Sequence, residues 1–397
     1  MADLPRHLMY TRIGVNSTPT SRTGSPSSWY WLPVFEDGIQ LNPDLEVQDV
    51  PTEHKTKGAR YRVFTRRNAN SGSISTPMFS QNAGLLMDAT LSTTTGDLPK
   101  YHTLESYWGD ASDTGLSGSN TGIQNVGVIF NGFSLSIDRQ SPGPLTLEME
   151  AFHNQYKSLT SDATPSWPPL NPYDTRNVYI DLDMDETGFT GDNADIRSLS
   201  LSYTNNLELD VFAASSTASL NGTWTKVYAG IPELTVSTSL VVTDSTYPFY
   251  ADALTLKKAQ MRIMGYNPSA SGSTTTSDNE SAGASKVFTV GSTSGFATND
   301  IVLIDDVANG RQSVGTATVG SGTITIDTLD TAIDGSVTAA NIYNTAWELK
   351  IDELEVTSVS RPVVQGNVRV VNLEMRANLE GTNTVMMTHK AYNDDNS

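Results

Sequence analysis

Cysteine is absent from this 397-residue chain, so neither disulfides nor thiol chemistry enter its stability or activity. Long apolar runs are missing as well. Nothing approaches the roughly 18 apolar residues of a membrane span, and Met1–His7 carries no apolar secretion core. Charge is sparse at 17%, and basic charge sparser still: 25 Lys and Arg against 44 Asp and Glu leave a net charge of −19. A chain built to grip nucleic acid carries a basic stripe, because phosphate neutralisation supplies most of the affinity. This chain as a whole repels DNA. Asp outnumbers Glu and Arg outnumbers Lys, which suits a high-salt, halophilic setting where screening is short-ranged; a plain role in solubility fits equally well. Catalytic signatures are missing too. The histidines (His7, His54, His102, His153, His389) are scattered without metal spacing, and no nucleophile elbow, P-loop or dinucleotide fingerprint is present. No enzyme activity, cofactor or metal is expected.

What is there is Ser, Thr, Gly and Asn between short apolar alternations, the composition of a mainly β protein with many turns. The chain also repeats itself. Ser75–Ala89 and Ser245–Ala259, about 170 residues apart, agree at Ser75/Ser245, Thr76/Thr246, Phe79/Phe249, Ala83/Ala253, Leu86/Leu256 and Ala89/Ala259. Each opens on Ser, Thr and Pro, the chemistry of a helix start, and continues with apolar residues at i, i+4 and i+7. Val128, Phe130, Phe133 and Leu135 share an apolar phase with Leu349, Ile351, Leu354 and Val356, about 221 residues on. Leu147–Ala151 likewise matches Leu373–Ala377, and Leu45–Val47 matches Leu207–Leu209. The unit is strands, one short helix and more strands, occurring twice. The offset grows by about 51 residues between helix and strand, so an insert of that length lies in the second copy.

In chain order this predicts an N-terminal arm (1–33), a first lobe (34–158), a Pro-rich linker (159–175), a second lobe (176–281 and 343–397) and a small inserted β domain (282–342). The arm reads as irregular, with Trp29 and Trp31 as packing anchors more readily than sugar-stacking rings. The loop 92–124 reads as functional or interfacial, and 268–285 as a linker. The insert is expected to hang outward on flexible flanks.

Two charge patterns stand out. Lys55, Lys57, Arg60, Arg62, Arg66 and Arg67 concentrate cations in an acidic chain, with Arg60, Arg62 and Arg66 on one strand face. A basic hairpin docking on an acidic neighbouring subunit is preferred over a DNA grip or a charge-protected strand edge. Asp181, Asp183 and Asp185 alternate with apolar residues on one face of a half-buried strand. The spacing touches that of a calcium loop, but the turn Gly and the twelfth-position Glu are missing, so an exposed acidic strand face is the favoured reading.

Asn131–Arg139, a Pro/Gly turn and Leu145–Met149 resemble tail tube proteins of long-tailed phages and viruses, the archaeal tailed viruses included. Gly72–Pro77 followed by Gly84–Leu86 is similar to the strand-to-helix segment of that family, and the resemblance extends over both lobes without the insert. The second lobe departs from it where Glu355-Val-Thr stands in place of Ser-Leu-Ser. The resemblance implies two tandem β-sandwich or barrel lobes, each with a flanking short helix. It further implies homotrimeric, pseudo-hexameric rings stacked into a tube, assembled in the host cytoplasm with a tape measure and other tail proteins. Genomic DNA would pass through without tight binding, and no membrane partner is implied. A surface adhesin or glycan-binding protein, or a baseplate or capsid protein, shares the composition and stands as the alternative.

Overall fold

The computed structural model describes residues 10–16, 24–26, 28–34, 38–41, 45–49, 62–67, 70–91, 98–107, 122–159, 172–184, 188–189, 195–210, 226–243, 246–255, 258–268, 272–360, 363–365, 368–378 and 385–391. Lobe one contains β1 (Tyr10–Val15), β2 (Tyr30–Leu32), β3 (Leu45–Asp49), β4 (Arg62–Arg67), β5 (Asn70–Pro77), α1 (Ser80–Thr90), β6 (His102–Tyr107), β7 (Gly122–Asp138), β8 (Thr146–His153) and β9 (Gln155–Leu159). Lobe two begins with β10 (Val178–Asp183), β11 (Ile196–Thr204), β12 (Glu208–Asp210), β13 (Lys226–Tyr228), β14 (Glu233–Val241), α2 (Tyr247–Thr255) and β15 (Lys258–Gly265). The insert holds β16 (Ser273–Thr276), β17 (Asn279–Glu280), β18 (Gly283–Thr289), β19 (Ile301–Asp306), β20 (Arg311–Val319), β21 (Thr323–Leu329), β22 (Ile333–Asp334) and β23 (Ala340–Tyr343). Lobe two then resumes with β24 (Trp347–Val359), β25 (Val363–Gln365), β26 (Val368–Ala377) and β27 (Thr388–Ala391). The protein is mainly β, as its alternations predict.

The repeat is structural. β5 pairs β8 ahead of one helix, and β14 pairs β26 ahead of the other; β6 pairs β7 as β15 pairs β24. The hairpins β3–β4 and β12–β13 carry the Leu45/Leu207 echo. All eight residues of the Val128/Leu349 phase are buried. The lobes are nevertheless not separate bodies. β7 and β11 pair from Ser198↔Asp138 to Thr204↔Gly132, joining both lobes in one 15-stranded sheet. One core cluster runs from Ile13 through Leu135 and Leu201 to Met387.

Several expectations change. Within the arm, β1 and β2 are strands of the main sheet, with Ile13 and Leu32 fully buried. The loop 92–124 contains β6, buried along its whole length. The first helix starts later than its Ser/Thr/Pro signal. Thr76 sits in β5 and donates to Pro33 O at 2.5 Å, while Asn82 accepts from the Phe79 N–H at 2.8 Å at the helix entrance. The second helix keeps the signal: Thr243 and Thr246 cap reciprocally, the Thr243 N–H reaching Thr246 Oγ1 at 2.8 Å. Residues 160–171 of the linker lie outside the described residues. Its far end is anchored by buried Tyr173, which donates to Thr345 O at 2.9 Å.

The insert is larger and better held than expected. Its six-stranded sheet, β16-β23-β19-β20-β21-β18, takes in Ser273–Thr276 from the expected linker. Phe288, Val302, Ile304, Ile324, Ile326 and Ile342 form its own core. A second cluster, Met264, Leu303, Val314 and Ala346, seals it onto lobe two, with Tyr266 stacked on Tyr343 at 4.1 Å. The insert is therefore docked rather than tethered.

Candidate functional site: a hydroxyl and carboxylate wall

Strand alternation divides the middle of the main sheet into two unlike faces. On β7, Phe133, Leu135 and Ile137 point into the core, and Ser134, Ser136 and Asp138 face out. On β11, Leu199, Leu201 and Tyr203 are buried, leaving Ser198, Ser200 and Ser202 outside. β14 adds Thr235, Ser237 and Ser239, and β26 adds Asn372, Glu374 and Arg376. The antiparallel registers align these into rows crossing the lobe boundary. One row is Glu148, Ser134, Ser202, Thr235, Arg376 and Glu355; the next is Ser136, Ser200, Ser237 and Glu374. Two open hollows of about 380 and 270 Å³ lie over these rows.

The wall is acidic. Asp138, Glu148, Glu150, Glu233, Glu355 and Glu374 stand on or beside the rows. The cation among them, Arg376, is tied to Glu233 at 2.9 Å. Asn131 donates to Glu150 at 2.8 Å and Asn378 to Glu355 at 3.0 Å, holding two carboxylates in place. Short neutral hydroxyls among carboxylates offer a polyanion no point at which counterions are released, so phosphates gain nothing by stopping there. Among the described residues no group of three His, Asp or Glu side chains could hold a metal ion.

The acidic strand face of β10 is a correction. Asp181 and Asp183 do share one side of the strand, but both are buried, Asp181 beneath the insert. Asp181 stands opposite Arg262 on β15 and accepts from its guanidinium at 2.7 Å. Arg262, fully buried, also donates to Gln312 O at 3.3 Å and Thr331 Oγ1 at 2.9 Å, both on the insert. Asp183 accepts from the Gly188 N–H at 2.9 Å. Tyr179 donates to Asp305 of the insert at 2.8 Å, and burial with that neighbouring carboxylate pushes the phenol far up. Asp185 lies outside the described residues. Alternation reveals that two faces differ, not what covers the polar one; the isolated Arg262 gave no sequence signal.

Lys55, Lys57 and Arg60 also lie outside the described residues. Arg62, Arg66 and Arg67 fall on β4, where the register sets Arg66 opposite Glu46 and Arg62 opposite Asp49 of β3. The hairpin thus has acidic positions of its own, and it belongs to neither the wall nor the dock. Trp29 and Trp31 are half-buried around Arg12, whose guanidinium lies 4.3 Å and 5.7 Å from their ring centres, so they pack as expected.

The chain is thus a repeated β unit whose joined sheet carries a bare acidic wall. A family model for the phage tail tube protein matches residues 11–290, and the chain belongs to that family. No curated protein matches it. It is a structural component of the virion tail, self-assembling into a tube with other tail proteins.

Proposed function

We propose that three copies of this chain close into a ring with pseudo-sixfold symmetry, that rings stack into a tube, and that the hydroxyl and carboxylate wall lines its bore. The observation that carries this reading is the seam inside the chain. β7 of one lobe pairs β11 of the next head to tail, and a heterologous contact that repeats and closes makes a ring. Each lobe brings four strands to the wall: 38–41, β5, β8 and β7 in the first, β11, β14, β26 and β24 in the second. With strands about 4.8 Å apart and tilted as in closed barrels, six lobes give a backbone diameter of roughly 45–50 Å. That leaves a bore wide enough for duplex DNA in transit during ejection, which an acidic wall would not retain. The insert docks on β10 and β15, beyond β24 where the first row ends, and so would decorate the outside.

Electron microscopy and native mass spectrometry of the purified chain test this reading: rings of three chains are expected, and rings of six would overturn it. The basic run 55–67 is proposed to contact acidic surface on an adjacent subunit or ring. Reversing Arg60, Arg62 and Arg66 should then slow tube growth, most at low salt; unchanged growth would leave the run as a solvated edge. The acidic wall also predicts that free protein shows no duplex-DNA mobility shift surviving moderate salt. Assembly in the host cytoplasm and contact with a tape measure protein complete the proposal.

A further inference from the structure

The internal seam gives a template for the seam between copies. β11 lies beside β14 with Leu201 opposite Val236, and Val236 in turn stands opposite Met375. In lobe one Ile39 bridges Ile74, and Ile74 stands opposite Met149. The segment 38–41 therefore stands to β5 as β11 stands to β14, at the same spacing of about 162 residues that separates Leu45 from Leu207. Ile39 corresponds to Leu201 and Leu41 to Tyr203. At the other end of each unit, Phe133 and Leu135 of β7 pair Met149 and Leu147, while Val356 and Val359 of β24 pair Met375 and Leu373. Inside the chain the outer edge of β7 receives Tyr203 and Leu201. Among the described residues no strand lies on that edge of Val356–Ser360, nor on the outer side of 38–41.

Resting on the ring reading above, we infer that residues 38–41 of one copy pair antiparallel with Val356–Ser360 of the next, Leu41 opposite Val356 and Ile39 opposite Val359. A separate observation agrees. Ile39 and Val359, at opposite ends of the sheet, are both half-buried apolar residues at the rim of the main core. Their counterparts Leu201 and Leu135 are closed over because they meet each other. Pairing two such edges removes apolar surface on one face and extends the wall on the other, with Gln40 and Ser358 in the places that Ser202 and Ser134 hold at the internal seam. The copy-to-copy seam is also the shorter one. Asn205 donates its N–H to Asn131 O at 2.6 Å beyond the internal ladder, whereas Pro43, at the matching spacing, has no N–H to give. Rings should come apart at three seams and leave each chain's two lobes joined.

Because the chain has no cysteine, paired thiols can be introduced cleanly. Opposed residues in an antiparallel ladder bring their Cβ atoms to about 4.5–5.5 Å, within reach of a disulfide or a short bis-thiol reagent. The variant Gln40→Cys/Ser358→Cys, assembled and cross-linked, is expected to give a denaturing-gel ladder ending at a covalent trimer. The single variants should give none, and Ser134→Cys/Ser202→Cys should close within one chain and remain monomeric. If the double variant does not assemble, co-assembling the two single variants should trap dimers. Rings visible by microscopy with no cross-link at 40/358, while the 134/202 control closes, would overturn the seam and leave the ring standing. A parent chain that forms no rings would overturn the ring itself.

Discussion

Lobe one and lobe two each hold a cross-strand ion pair beside the helix-following strand, at different registers and with the charges exchanged. On β1 and β6, Arg12 stands opposite Glu105 at 2.6 Å; on β10 and β15, Asp181 stands opposite Arg262 at 2.7 Å. Each guanidinium lies on aromatic rings, Arg12 over Trp29 at 4.3 Å and Arg262 over Phe189 at 4.2 Å. The surroundings differ. The Arg12 side chain keeps 21% of its surface exposed, whereas the insert leaves Arg262 none. The same kind of pair thus serves as a partly solvated strand clasp in one lobe and as the buried anchor of an added domain in the other. The comparison teaches that charge patterning within a strand pair is interchangeable, while the layer packed above it sets what the pair is worth.

The largest test of that difference is truncation. Arg262→Ala strands the Asp181 carboxylate in the dock and should cost about 3–5 kcal/mol in urea unfolding, whereas Arg12→Ala should cost about 1–2 kcal/mol. Equal losses would show that the insert does not isolate the pair. Exchanging partners sharpens the point. Arg12→Glu with Glu105→Arg should recover most of the single-variant loss. Arg262→Asp with Asp181→Arg should not, because Gln312 O and Thr331 Oγ1 would lose their donor.

The lobes should also respond to pH in opposite directions. Glu348, beside Lys390 and within the fields of Arg262, Lys350 and Asp330, is raised by burial to about 7. The unfolded chain gives up that proton near 4.5, so stability from this group is full below pH 4.5 and is lost as pH rises through about 7. His102 in lobe one is lowered by burial to about 4, so its contribution is present above pH 6.5 and is lost as pH falls through about 4. Melting temperatures between pH 4 and 8 should therefore lose their alkaline decline in Glu348→Gln and their acid decline in His102→Gln. The smallest effects belong to the wall. Ser200→Ala and Ser237→Ala should each change stability by no more than about 0.5 kcal/mol, since these hydroxyls face out. A larger loss would mean the rows hold the sheet together.

Much of the duplication was legible because buried strands repeat their apolar phase, and Val128–Leu135 and Leu349–Val356 do so along their length. Ladder register was not. Leu135 and Val356 are sequence echoes, yet Leu135 pairs Leu147 while Val356 pairs Met375, because β24 shifts register between Val356 and Ser358. One displaced residue in a strand moves the ladder without disturbing the alternation. The lobe seam was hidden for another reason: β7 and β11 meet across about 60 intervening residues, and no local pattern names a distant partner. The wall was present in the text as Ser-Leu-Ser-Ile-Asp and Ser-Leu-Ser-Leu-Ser, but its meaning depends on those two strands being neighbours. Asp181 misled because an acidic alternation looks solvated until its covering layer is known.

The insert begins with β16 and ends with β23, and these two strands are hydrogen-bonded from Ser273↔Tyr343 to Thr276↔Ala340. Entry and exit are thus zipped together, and the strain of any change at the far turns stops at that zipper. The turn at Gly320–Gly322, where Gly322 takes φ +73° and the Gly320 N–H donates to Thr323 O, is exposed and lies at the opposite end of β20 from the dock residue Gln312. A foreign peptide spliced into that turn would be carried at one fixed address per chain, and a tube of such chains would present it as a regular lattice.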